Sequence, residues 1–174
     1  NFRSAEGKEG YALTVLSEIL TGGTAGRLYR RMVIEQQSAL GVDTGYEGGS
    51  YDIGRFNIYA TPRQGGELVA VEQEIDRQIA AVLKDGVTDQ EVADAKQRLK
   101  ISAIKARDSV TGPVFTVAEA LGKGRTLADV QAWPERIDSV TAADVLAVAQ
   151  QIFKPENSVT GTLLPKPAQE AAQP

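Results

Sequence analysis

Histidine and cysteine are both absent from this sequence of 174 residues. Without an imidazole there is no general base that titrates near neutral pH, and no Ser-His-Asp or Cys-His relay can be assembled. Without thiols or imidazoles, the usual ligand sets for zinc, copper and haem iron are out of reach as well. The chain alone is therefore a poor candidate for a complete catalytic site. A disulfide framework is excluded, but a domain of this length does not depend on one, so the missing cysteine does not specify a compartment. No stretch reaches the roughly 18 apolar residues that would span a bilayer. Lys and Arg number 19 against 23 Asp and Glu, a net charge of −4, which leaves no basic stripe for nucleic acid.

What is present describes one globular domain. Apolar residues make up 42% of the chain, an ordinary share. The length fits the size of a single domain, roughly 100–200 residues, and such a domain buries about 70% of its unfolded surface. The sequence opens on Asn1 rather than a methionine. It reads as a processed product or a piece of something longer, so a missing leader carries no meaning.

Hydrophobic spacing predicts a first helix over Lys8–Leu20, with Tyr11, Ala12, Val15, Leu16, Ile19 and Leu20 on one stripe. Gly22 and Gly23 end it, and Thr24 is placed to cap a shorter helix carrying Leu28, Met32 and Val33. Two antiparallel strands follow, at 40–47 and 54–62, joined by a glycine-rich hairpin loop. Helices then dominate. One runs from Gly66 to Lys84, with Leu68, Val71, Ile75, Ile79, Val82 and Leu83 on one face. The next opens at the capping box Thr88–Glu91 and runs to Asp108, with Val92, Ala95, Leu99, Ala103 and Ala106 inward. A helix over Val114–Leu121 precedes one started by Thr126 or Asp129 and kinked or split at Pro134. Thr141 and Asp144 start another, with Val145, Val148, Ala149 and Ile152 apolar, and Pro155 stops it. Ser158–Leu164 reads as a last strand. The Pro- and Ala-rich tail from Pro165 to Pro174 reads as disordered, and as a natural C-terminus. This order gives an α+β fold: a small antiparallel β-sheet with several α-helices packed on one face.

No constellation in this pattern carries chemistry by itself. The run Thr21–Arg27 (TGGTAGR) lacks the lysine of a phosphate-binding loop and follows a helix, so it reads as a helix-to-helix turn. Arg27, Arg30 and Arg31 read as a solvated helix face. The carboxylate groups Glu72, Glu74 and Asp76, and Asp89 with Glu91, read as solvent-facing charge, because acid–base work needs a partly desolvated cleft. Trp133 reads as a core residue.

Four stretches taken together resemble the C-terminal, non-zinc domain of the pitrilysin-type zinc metallopeptidases, the insulinase-like and mitochondrial-processing-peptidase-like family. They are Leu16–Arg31 (LSEILTGGTAGRLYRR), with its double glycine and "SRLYR"-like turn; Gly54–Ala60 (GRFNIYA); Gly86–Leu99 (GVTDQEVADAKQRL); and Ile137–Val145 (IDSVTAADV) followed by Asn157–Pro165 (NSVTGTLLP). Each is weak alone; their order and spacing are specific. The resemblance runs from about Lys8 to Pro165.

The resemblance implies a metallopeptidase half, a LuxS-like two-layer sandwich occupying 1–165 with a disordered tail at 166–174. Members of the family pair two homologous α+β domains into a clamshell chamber. The N-terminal domain carries His-x-x-Glu-His and a distal glutamate, which hold zinc and activate water. Zinc is thus expected in the parent protein's N-terminal domain, and no catalytic, cofactor-binding or metal residue in this chain. Active assemblies also use an arginine and a tyrosine in a stretch like "LREEKGLAY", the tyrosine stabilising developing negative charge. Aligned on Met32 and Ala39, those two positions are Val33 and Leu40 here. The expected role is therefore chamber wall and assembly surface, in a parent zinc metalloendopeptidase. Its partners would be the zinc-bearing N-terminal domain, a homologous companion subunit carrying the arginine and tyrosine, and peptide substrates, in a bacterial periplasm or envelope. A structural or regulatory subunit without proteolytic role is the alternative.

Overall fold

The computed structural model describes residues 2–3, 7–47, 53–108 and 111–164. Its centre is helix α1 (Lys8–Thr21). Gly10, Tyr11, Ala12, Leu13, Val15, Leu16, Ile19 and Leu20 are all buried along it, so the apolar surface extends well beyond one stripe. A helix apolar on most sides must be enclosed on most sides. Here the enclosure comes from strand β2 (Ala39–Glu47), α2 (Arg27–Tyr29), α4 (Asp89–Arg107), α7 (Trp133–Asp138) and α8 (Ala142–Ile152), all of which pack on α1.

The sheet is antiparallel, in the order β1 (Phe2–Arg3), β3 (Ile53–Pro62), β2. Val42, Thr44 and Tyr46 on β2 lie opposite Ala60, Ile58 and Phe56 on β3, and this face meets the core. Asp43, Glu47, Arg55, Tyr59 and Thr61 project from the other, exposed face. Period-two alternation thus places one apolar and one polar face on a single hairpin, and the α+β architecture with helices packed on one side of a small sheet is present. A bulge interrupts the ladder between Ala39 and Gly41.

The remaining helices are α3 (Leu68–Asp85), α5 (Gly112–Gly122) and α6 (Leu127–Gln131). Thr88, Thr126 and Thr141 each form a capping box, with Glu91, Asp129 and Asp144 respectively. The expected helix around Pro134 is split: α6 ends before Ala132, and Pro134 stands in the first turn of α7, where a missing N–H costs nothing. Trp133 packs half-buried against the core.

Four expectations are corrected. Thr24 caps no helix; it lies in a 3-10 turn (Gly23–Ala25), and Gly26 precedes α2 without a side-chain cap. Helix α3 starts at Leu68, not Gly66. Ala106 on α4 is exposed and Ala103 only half-buried, because the second half of that helix runs past the core. Ser158–Leu164 forms no strand and pairs with none among the described residues, leaving Val159 98% and Leu163 94% exposed. An apolar alternating sequence becomes a strand only where a neighbour accepts its hydrogen bonds. The hairpin tip (48–52) and the tail from Pro165 lie outside the described residues. The short strand β1 has no counterpart in the sequence reading.

Leu16 has no exposed surface and lies at the centre of this arrangement. Leu16→Ala should lower the unfolding free energy by about 3 kcal/mol or more, read from urea denaturation. Leu40→Ala, at a side chain 63% exposed, should change it by less than about 0.5 kcal/mol.

Candidate functional site

The two positions singled out by the sequence lie on the chain between α2 and β2. From Arg30 to Glu35 the helix opens into a π-helix, with Gln36 N–H bonding to the Arg31 carbonyl. Gln37 then takes a left-handed conformation, φ 53°, a position that favours glycine. Ser38 N–H bonds back to the Met32 carbonyl, and β2 begins at Ala39 with its bulge. Val33 lies on the π-helix, half-buried against the core; Leu40 lies at the bulge, open to solvent. Neither side chain can donate or accept a hydrogen bond.

This irregular segment is held by Glu74 on α3, a carboxylate only 2% exposed. Gln36 Nε2 donates to it at 3.0 Å, Gln78 Nε2 at 2.9 Å, and Arg77 through Nε at 3.0 Å and Nη2 at 2.6 Å. Arg31 Nε lies 3.4 Å away. Burial pushes the Glu74 carboxyl up, but the hydrogen bonds from Gln36, Gln78 and Arg77 outweigh it and hold it below the ordinary carboxylate value. The expectation of solvent-facing charge fails at this residue. Its position on the Val71–Ile75–Gln78–Val82 side of α3 is the sequence signal that would have placed it inward.

A second fastener joins the glycine-rich turn to α4. Arg27 Nε and Nη2 donate to the two Glu91 oxygens at 2.6 and 2.8 Å, and Nη2 also reaches the Gly86 carbonyl at 3.2 Å. This is the planar fork of arginine matched to a carboxylate. Arg27 hydrogen bonds, opposed by burial and helped by the Thr88 backbone, lower the Glu91 pKa from 4.5 to about 2. Arg30 and Arg31 pair with Glu35 at 3.0 Å each. The three arginines thus answer carboxylates of their own chain, with Arg27 half-buried rather than on a solvated face. Glu72, Asp76 and Asp89 are exposed, as read from the sequence.

A shallow groove of about 500 Å³ lies between α4 and the α7–α8 turn, lined by Val92, Lys96, Lys100, Asp138, Val140 and Thr141. Lys96 Nζ bonds the Asp138 carbonyl at 3.0 Å, and Lys100 Nζ its carboxylate at 2.8 and 3.2 Å. Both cations are answered inside the groove, which leaves no built anion site. Among the described residues no three His, Cys, Asp or Glu side chains come together as a metal site. The donor set of this chain does not fit a resident zinc ion.

Fold and side chains together define an α+β domain whose polar groups serve its own architecture. The family model described as the Peptidase M16 inactive domain matches residues 2–99, and the chain belongs to that family. It is 25% identical over 146 residues to the uncharacterized zinc protease YmxG of Bacillus subtilis (strain 168), a match covering 82% of this chain. The chain spans about a third (34%) of the length of that curated relative. Among solved structures, the inactive peptidase domain from Bordetella parapertussis superimposes with a TM-score of 0.81, at 15% identity, over 99% of this chain and 92% of that one. A protease from Helicobacter pylori gives 0.77 at 19% identity, over 87% of this chain and 36% of that one. At these identities the structures speak for the shared fold.

Two measurements check the fasteners. Glu74→Ala strips Gln36, Gln78 and Arg77 of their acceptor and should cost about 2–3 kcal/mol in urea unfolding; Glu72→Ala on the same helix should cost less than about 0.5 kcal/mol. For Glu91, a folded-state pKa below the unfolded one means that the pair stabilises above pH 4.5 and loses its effect as pH falls toward about 2. The stability gap between the natural chain and Arg27→Met should therefore narrow across that window. A gap that stays constant would show that the pair is not the source of the shift.

Proposed function

We propose that this chain is the non-catalytic C-terminal half of a pitrilysin-type zinc peptidase. It forms chamber wall and assembly surface, while a zinc-bearing N-terminal domain of the same protein carries out peptide hydrolysis. The observation that carries this reading is the match of residues 2–99 to the inactive-domain model in a chain without histidine or cysteine. The name of the Bacillus subtilis relative, a zinc protease about three times as long as the matched region, supports zinc in the parent rather than here.

On this reading Val33 and Leu40 stand where active assemblies have arginine and tyrosine. A companion subunit must then supply those groups to grip the peptide and to stabilise negative charge as water attacks. The exposed face of the β2–β3 hairpin suits a wall. It bears Asp43, Asn57 and Tyr59 beside Gly41 and Gly45, whose Cα positions face open space, so an extended peptide could lie against it.

The isolated chain should hydrolyse no peptide and retain no stoichiometric zinc by elemental analysis. Combined with the parent's N-terminal domain and the companion subunit, it should restore chelator-sensitive peptide cleavage. Folded partners that stay inactive with this chain present would replace the proposal by a structural or regulatory subunit. Cleavage by the chain alone would overturn it outright.

A further inference from the structure

The sheet has one edge that is closed and one that is open. On β2, Thr44 donates its backbone N–H to Thr21 Oγ1 at 3.1 Å and accepts from Ser17 Oγ at its carbonyl, 3.3 Å. Thr21 and Thr44 hydroxyls lie 2.6 Å apart, and those of Ser17 and Thr44 2.8 Å. Helix α1 thus plugs the outer edge of β2 with side chains, one way a protein blocks further strand addition.

The same bonds fix the polarity of β3. Both backbone groups of Thr44 point away from β3, so Thr44 and Ile58 form a non-hydrogen-bonded pair, and the N–H and C=O of Ile58 point away from β2. Alternation carries this to Phe56 and Ala60, and to Gly54. At Gly54 the outward groups meet β1, with Phe2 opposite Gly54 and Arg3 opposite Ile53. Beyond Gly54 nothing among the described residues pairs with the outward groups of Phe56, Ile58 and Ala60.

We propose that this open edge of β3, from Arg55 to Pro62, is filled in the parent protein by chain immediately upstream of Asn1, continuing β1 as one antiparallel strand. The register dictates the occupant. Antiparallel pairing extended upstream from Phe2 would set successive residues opposite Arg55 and onward toward Pro62, so the existing pairing aims the preceding chain along the edge. A strand of roughly eight residues covers it. Pro62, with no N–H, marks its far end. Alternate residues of the strand, those opposite Phe56, Ile58 and Ala60, face the helix layer and are apolar. The occupant rests on the reading proposed above, in which a further domain precedes this chain in the parent; the curated relative, of which this chain spans 34%, is long enough for one. The chain's own Ser158–Leu164 is not the occupant. The Phe153 ring stands edge-on to Phe56 at 5.5 Å, holding the end of α8 beside β3, and the segment still runs unpaired.

Amide hydrogen exchange resolves this residue by residue. Three chains are compared: residues 1–174, the same chain with about ten residues of its natural upstream sequence, and that longer chain with the added segment replaced by Gly and Ser. The amides of Asn57, Tyr59 and Thr61 point to β2 and should be protected in all three, which controls for folding. Those of Phe56, Ile58 and Ala60 should exchange fast in 1–174 and in the Gly-Ser chain, and slow by about 100-fold or more with the natural segment. Fast exchange in the natural extended chain, with the control amides protected, overturns the proposal. Protection already present in 1–174 also overturns it. If that protection depends on concentration, a second copy fills the edge; if it does not, Ser158–Leu164 does. Equal protection by the Gly-Ser segment overturns the assignment to the natural sequence.

Discussion

Helix α1 has almost no side that tolerates water, and the rest of the chain is arranged to meet that condition. Its residues Ala12, Leu13, Val15, Leu16, Ile19 and Leu20 are at most 2% exposed. Burying each large side chain contributes about 1.5–3 kcal/mol, and none of that is available until sheet, α4 and α8 close around the helix. The hairpin supplies a floor through Val42, Tyr46, Phe56, Ile58 and Ala60. The Ser17–Thr21–Thr44 hydroxyl cluster fixes the helix to the strand edge, so that the polar groups at this seam are satisfied where apolar packing stops.

Charge plays the same architectural part at longer range. Arg27 with Glu91, Arg98 with Glu18, and Gln36 with Glu74 each join elements far apart in sequence. Arg98 Nε meets Glu18 Oε1 at 2.6 Å, and its Nη2 reaches the Glu18 carbonyl at 3.3 Å near the end of α1. Glu74 and Glu91, tied this way, are held below the ordinary carboxylate value and are charged near neutral pH. They are suited to holding helices in place, not to exchanging protons with a substrate. The absence of histidine and the commitment of Glu18, Glu74 and Glu91 to internal partners agree with the proposed reading, in which the domain contributes shape.

Features set by local spacing were legible in the sequence. Helix α1 announced itself through its apolar stripe, α4 through Thr88 and Glu91, and the hairpin through the alternation in Phe56–Ala60. Features set by partners were not. Helical position could have placed Glu74 inward, but its partner Gln36 lies 38 positions away and no local spacing announces it. Ser158–Leu164 has the residue pattern of a strand but no neighbour among the described residues. Arg27 reads as solvated because Glu91 lies 64 positions away, whereas Arg30 and Arg31 are exposed as the sequence reads.

The least regular backbone of the domain is concentrated between Arg30 and Gly41: a π-helix, a non-glycine residue at φ 53°, and a strand bulge follow one another there. Each costs energy relative to its regular counterpart, and such departures cluster where side chains must be aimed. Glu74 supplies the restraint that keeps them in place. On the proposed reading, Val33 and Leu40 occupy two aimed positions on this segment without the polar groups that would use them. A valine against the core tightens packing, and a leucine 63% exposed at the bulge gains little from burial. Stability alone does not explain keeping so irregular a backbone. On that same reading the segment keeps an aimed backbone, and its present side chains leave it as surface.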